Sequence, residues 1–346
     1  MAHDIELTDG KANIAFAGAT PWHRLGQQLD SAFDAETALR EANLDWEVEV
    51  APLYYQQPVE PGHPDYIITD PNSLVASTKG QIVRRGDTGD ELGVVGMKYS
   101  PLQNREAFGF FDGLFGKDAC RYETAGFTGK GERIWLLANM KDQDPIEILP
   151  EDTLKQYLLL TNSHDGTYSA MGAFTPIRVV CNNTLTAAVG GMLKDSSTVR
   201  VKHVGQVADR LQFAGQILAQ AGVFYDEVKH LFQGFAKKQL NGEQTRSYIN
   251  HALYADNAES KRRDKVIDSV EGLMHTGLGS DIKGVRGTVW GAYNAVTEHV
   301  DHVKEYRDPS KRLEASQFGT GLDIKRRALT EGASLVGYGE AAVALN

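Results

Sequence analysis

The hydrophobic period of this 346-residue chain changes once, near Asn183, and nothing else in the sequence constrains the fold as strongly. Before that point, "CRYETAGF", "RIWLLANM" and "KQYLLLTN" are short runs of β-branched, aromatic and apolar residues, which read as strands. "SLVAST", "QIVRR" and "LGVVG" read the same way, with Gly80, Gly86 and Gly89 dividing them. A helix from Ala35 to Ala42 and another from Leu102 interrupt the strands, and the first thirty residues look irregular. After Asn183, Val207, Leu211, Ala214, Leu218 and Ala221 recur at helical spacing in a long amphipathic segment, with a break expected near Gly222. Further helices fit "EQTRSYINHALYA", "KRRDKVIDSVEGLMH", "RGTVWGAYNAVTEHVDHVKEY" and "DIKRRALTEGASLV". Strands followed by helices predict an α+β architecture. The expected division is a strand-rich domain with an antiparallel sheet over residues 1–190 and a helical domain or extension over 191–346.

Charge narrows the functional classes. The chain carries −10 overall, with 13 Lys+Arg against 24 Asp+Glu in residues 1–150. A basic module is absent from the totals, so contact with a phosphate backbone would need a local patch. Cys120 and Cys181 cannot form a disulfide framework, and no CxxC spacing suggests a metal. No apolar run is long enough to span a bilayer, and the acidic N-terminus lacks the pattern of a signal peptide. The expected location is the cytoplasm. Walker, GxGxxG, HExxH and GxSxG patterns are missing, so the expectation is no enzyme, no cofactor and no metal.

The densest stretch is "TNSHDGTYSAMGAFTPIRVVCNNTL", Thr161–Leu185. Asp165-Gly166 predicts a type I′ hairpin turn, with His164 exposed beside it. Pro176 places the following strand at an edge or interrupts it. Arg178 lies in a β-branched run, where an arginine reaches solvent, pairs inside or contacts a phosphate. Asn182, Asn183 and Thr184 are strong N-cap types. The helix they would open is also a natural anion site. Cys181 has no identifiable base and reads as a buried thiol.

Other features have plainer readings. Trp22-His23 anchors the N-terminal arm, or Trp22 stacks on a base. His299 and His302, with Glu298, Asp301 and Glu305 nearby, read as an exposed helix face rather than a metal site. Lys261–Lys265 ("KRRDK") and Lys325–Arg327 ("KRR") read as solvated basic faces, and Arg200 and Lys202 add two alternating cations. Trp290 and Tyr293 could form a contact patch or belong to the core.

Four separated pieces, "PWHRLG" (Pro21–Gly26), "LGVVGMKYSPLQN" (Leu92–Asn104), Thr161–Leu185 and "GTVWGAYNAVTEHVDH" (Gly287–His302), resemble the phage/plasmid-like family of bacterial mobile elements, which carries a domain of unknown function. That resemblance implies a phage or plasmid setting. The Asp165–Tyr168 hairpin, with the strand and helix after it, also resembles phage single-strand annealing proteins. The expected function is that of a non-enzymatic protein that binds single-stranded DNA in phage or plasmid recombination or replication, as a homo-oligomer off the membrane. Arg178, Asn182, Asn183, Arg200 and Lys202 are the expected binding residues. The alternative is a self-assembling structural protein of a mobile element.

Overall fold

The computed structural model describes residues 7–8, 11–12, 14–17, 27–29, 34–56, 74–108, 120–140, 144–167, 170–178, 198–201, 207–255, 260–305 and 319–338. The N-terminal stretch contains strands rather than irregular chain: β1 (Leu7–Thr8), β2 (Lys11–Ala12), β3 (Ile14–Ala17) and β4 (Gln27–Leu29). Local alternation does not announce β3, which pairs both with β4 and with a strand more than a hundred residues away. Helix α1 (Ala35–Glu41) starts where the sequence predicts, with Asp34 accepting the Thr37 N–H at 2.8 Å.

Strands β5 (Val48–Gln56), β6 (Leu74–Arg85) and β7 (Glu91–Gly96) form an antiparallel sheet in that order. Strand β6 runs straight through Gly80, where two strands were expected. Gly80 pairs with Gly96, and a Cβ added there would stand 3.2 Å from the Val95 carbonyl oxygen. The glycine permits a close approach rather than a turn. Residues 104–108 are helical, as predicted.

The larger sheet adds β8 (Cys120–Thr128), β9 (Arg133–Met140), β10 (Ile146–Leu149), β11 (Asp152–Ser163), β12 (Ala170–Arg178) and β13 (Thr198–Val201). Its order is β13-β12-β11-β9-β8-β3-β4, with β10 paired to the start of β11. Only the β3–β4 pair is parallel among the described strands. Strand β13 lies beyond Asn183, so the division between strands and helices is not complete. It pairs with β12 from Ala170 to Ala173, so among the described residues Pro176 has a ladder partner on one side, Gln156 of β11.

The helices are α2 (Val207–Lys237), α3 (Gly242–Leu253), α4 (Lys261–Thr276), α5 (Val289–Glu298), a π turn at His299–Val303, and α6 (Thr320–Leu335). Helix α2 passes Gly222 without a break. The core joins both parts of the chain. Phe224 stacks on Phe174 with centroids 5.4 Å apart, and the Tyr225 hydroxyl donates to the Tyr157 carbonyl at 2.5 Å. Trp290 and Tyr293 are fully buried against Phe232, which decides for core and against a contact patch.

The hairpin at Asp165-Gly166 is not a type I′ turn. Gly166 has a φ of 76°, but Asp165 is not at positive φ. Asp165 instead accepts from Ser163 Oγ, from the Thr167 N–H at 2.9 Å and from Thr167 Oγ1 at 2.6 Å, an Asx-type closure of a longer loop. His164 is buried, not exposed: its Nε2 lies 2.9 Å from Asn104 Oδ1 and its ring meets Trp46 edge-on. The small sheet closes over this loop, because Gly93 lets β7 approach the Asp165 backbone.

Candidate nucleic-acid interface

Arg178 comes first, because its surroundings exclude the surface role expected of it. It is 1% exposed. Its Nε and Nη2 donate to the two oxygens of Asp152 at 2.7 and 2.6 Å, a fork-to-fork pair. Its Nη1 donates to the Leu278 carbonyl at 3.1 Å and Nη2 to the Gly279 carbonyl at 3.3 Å. Asp152 also accepts from Trp290 Nε1 at 2.8 Å, and the guanidinium carbon lies 5.5 Å from the centre of that indole. A phosphate would have to displace a buried carboxylate, so Arg178 as a phosphate contact is corrected to internal pairing.

What this pair holds is a glycine-rich loop, residues 277–288, between α4 and α5. Gly279, Gly284 and Gly287 have φ of 70°, 94° and 70°, a path that side-chain-bearing residues rarely follow. Glu298 grips the loop from the other side, accepting the Leu278 N–H at 3.1 and 3.3 Å. Burial raises the Glu298 carboxyl above its ordinary pKa, and the Leu278 N–H and nearby Arg178 oppose that shift. Thr288 ends the loop and caps α5, accepting the Gly291 N–H at 3.1 Å.

The loop is also tied to the end of α2. The Leu240 N–H donates to the Gly287 carbonyl at 2.8 Å, and the Val289 N–H donates to the Lys238 carbonyl at 3.0 Å. Gln239 and Thr288 form an antiparallel bridge between them. Four exposed cations are thereby gathered: Lys237 and Lys238 at the end of α2, and Lys283 and Arg286 on the loop. None has an ion-pair partner among the described residues. The Arg286 guanidinium bonds only a carbonyl, that of His275 at 3.0 Å. Asp281 is the loop's one carboxylate. Sequence reasoning passed over these four residues. The available signal was "KGVRG", a cation pair set among glycines, beside "AKKQL".

Of the other expected site residues, Arg200 is described, and it does not join Arg178. Arg200 lies on β13 opposite Met171, seven residues along β12 from Arg178, or about 23 Å at strand rise. Asn182, Asn183 and Lys202 lie outside the described residues, as do Trp22, His23 and Cys181. His299 is buried rather than on an exposed face, and burial together with Lys304 lowers its pKa to about 4. Its neighbour Asp301 is buried on Lys325 at 2.5 Å, and Arg327 donates to the Ala252 and Leu253 carbonyls, both at 3.0 Å. "KRR" is thus largely structural. The π turn and the fold of α6 onto it produce this, and neither follows from local polarity. Among the described residues no three His, Cys, Asp or Glu side chains group as a metal site, and no helix is long and apolar enough to cross a membrane.

No curated protein and no solved structure matches the chain. A family model, described as a domain of unknown function (DUF932), matches residues 91–317, a span that takes in most of the large sheet, the Arg178–Asp152 pair and the cationic loop. The chain belongs to the DUF932 family.

Proposed function

We propose that this protein binds single-stranded DNA without catalysing a reaction, in the recombination or replication of a phage or plasmid. The observation that supports this reading is the set of four exposed cations, Lys237 and Lys238 at the end of α2 and Lys283 and Arg286 on the adjoining loop, which a buried arginine–carboxylate pair holds. Cations left without carboxylate partners suit a phosphate backbone, whose neutralisation releases condensed counterions. On an acidic chain such a patch gives nucleic acid a local region of attraction. Fluorescence anisotropy of the full chain with single-stranded DNA, duplex DNA and RNA at low salt tests the reading. Single-stranded DNA is expected to bind tightest. Lys283→Ala with Arg286→Ala is expected to weaken binding and to flatten the log affinity against log salt plot by about 1.4, the loss of two single-strand phosphate contacts. No binding to any of the three probes would remove the function, and unchanged affinity and slope in the variant would remove the site.

A further inference from the structure

The small sheet presents a second surface that the cationic loop does not use. At its far end Tyr54 and Tyr55 are 54% and 50% exposed. They are consecutive on β5, so their rings leave opposite faces of the strand. Neither hydroxyl has a hydrogen-bond partner among the described residues. Val94 and Met97, 59% and 52% exposed, extend the apolar surface onto β7 and the turn after it. Lys79 and Lys98 flank the Gly80–Gly96 pair, exposed and without ion-pair partners among the described residues. A Cβ built at Gly80 would lie 3.6 Å from Leu53 Cδ2, which sets Tyr54 one residue from this row.

Charge is segregated along the sheet. At the opposite end Glu49, Asp87 and Asp90 are paired with Arg84, Arg85 and Lys130 at 2.8, 2.7 and 2.6 Å. Glu91 is at that end too. Glu49 and Tyr54 are five residues apart, about 17 Å at strand rise. The tyrosine end therefore offers aromatic faces with lysines and, among the described residues, no carboxylate on its strands. Exposed aromatic faces and exposed cations on one sheet match a ligand built from flat bases on a polyanionic backbone.

A second copy of this chain fits less well. An isologous contact through this face would bring two copies of Lys79 and Lys98, four cations without carboxylate partners on these strands, into one interface. Pro52 removes an N–H from β5, which hinders strand addition at that edge. We propose that the Tyr54–Tyr55 end of the small sheet stacks the unpaired bases of a single-stranded nucleic acid, with Lys79 and Lys98 on its phosphates. This rests on the nucleic-acid reading above and adds to it a requirement for bases.

The full chain is titrated by anisotropy with labelled oligo(dT) and with an abasic deoxyribose-phosphate strand of equal length. The wild type is expected to bind oligo(dT) more tightly. Tyr54→Ala with Tyr55→Ala is expected to weaken oligo(dT) binding at least about 5-fold, the smaller end of the loss of one stacked base, and to leave the abasic strand unchanged. Tyr54→Phe with Tyr55→Phe keeps the preference, and Lys283→Ala with Arg286→Ala weakens both probes alike. Both tyrosines are half exposed, so the variants should fold, and circular dichroism checks this. Equal wild-type affinity for the two strands, or a tyrosine variant that weakens both equally, overturns the stacking site while leaving DNA binding in place. Binding of neither strand overturns both readings. A dimer in sedimentation velocity that dissolves in the tyrosine variant assigns the face to a second copy and also overturns the proposal.

Discussion

Arg178 and Asp152 are worth more as a pair than either is alone. Removing one partner of a buried ion pair leaves a charge without compensation, whereas replacing both by apolar groups is often neutral. Arg178→Met is therefore expected to cost about 3–5 kcal/mol in urea denaturation, and Arg178→Met with Asp152→Leu to recover a large part of it. Recovery is incomplete because Trp290 Nε1 and the Leu278 and Gly279 carbonyls also lose a partner. A single variant as stable as the wild type would disprove the anchoring role. His299 offers a pH test at the same scale. Its folded pKa of about 4 lies below its ordinary value of 6.5, because burial disfavours the charged ring. The unfolded chain then binds more protons between those values, so this residue's stabilisation is complete above about pH 6.5 and is lost as pH falls toward 4. The loss is of order 3 kcal/mol; urea melts across that window should show it in the wild type and not in His299→Gln. Equal pH dependence in the two proteins would contradict it. The sequence shows the residue types in both centres but not their partners, since Arg178 and Leu278 are a hundred residues apart.

At the level of elements, the strong local signals decided most of the outcome. Helix α3 begins with a reciprocal capping box, Asn241 accepting the Gln244 N–H at 2.8 Å and Gln244 accepting the Asn241 N–H at 3.0 Å. Asn241→Ala is expected to cost about 1 kcal/mol, measured by chemical denaturation. Gly222 is the contrary case, a helix breaker by type inside an unbroken helix. Nothing lies within 4 Å of a Cβ added there, so Gly222→Ala is expected to stabilise the protein by about 0.5–1 kcal/mol. Destabilisation by the alanine would mean that α2 bends or packs at that point. Gly80 misled in the same way, because a glycine signals backbone freedom but not whether the chain uses it to turn or to let a neighbour approach. The π turn at His299–Val303 gave no signal in a segment of continuous helical period, and it rotates His299 and Asp301 inward.

Across the whole molecule, the strand-rich and helix-rich parts share one core. A single cluster of buried apolar residues runs from Ala15 through Phe174 and Phe224 to Ala333. The Arg178–Asp152 pair crosses the same boundary to reach Leu278 and Trp290. Urea unfolding followed by tryptophan fluorescence and by circular dichroism is therefore expected to give one coincident transition. Two separated transitions would show that residues 1–190 and 191–346 fold independently.

The sequence alone determined the α+β class and most strand and helix positions after residue 34, because each rests on periodicity or on side chains a few residues apart. Three of the four pieces read as a family resemblance, Leu92–Asn104, Thr161–Leu185 and Gly287–His302, fall within the family match at residues 91–317. Only the tertiary structure decided that Arg178 faces inward, that His164 and His299 are buried, and that β3 joins the large sheet. It alone tied the segment with Lys237 and Lys238 to the loop with Lys283 and Arg286, and set Gly80, the neighbour of Lys79, against Leu53, the neighbour of Tyr54. The physical reason is common to these cases. Burial and charge pairing depend on which distant segment covers a residue, and a linear pattern records only the near ones.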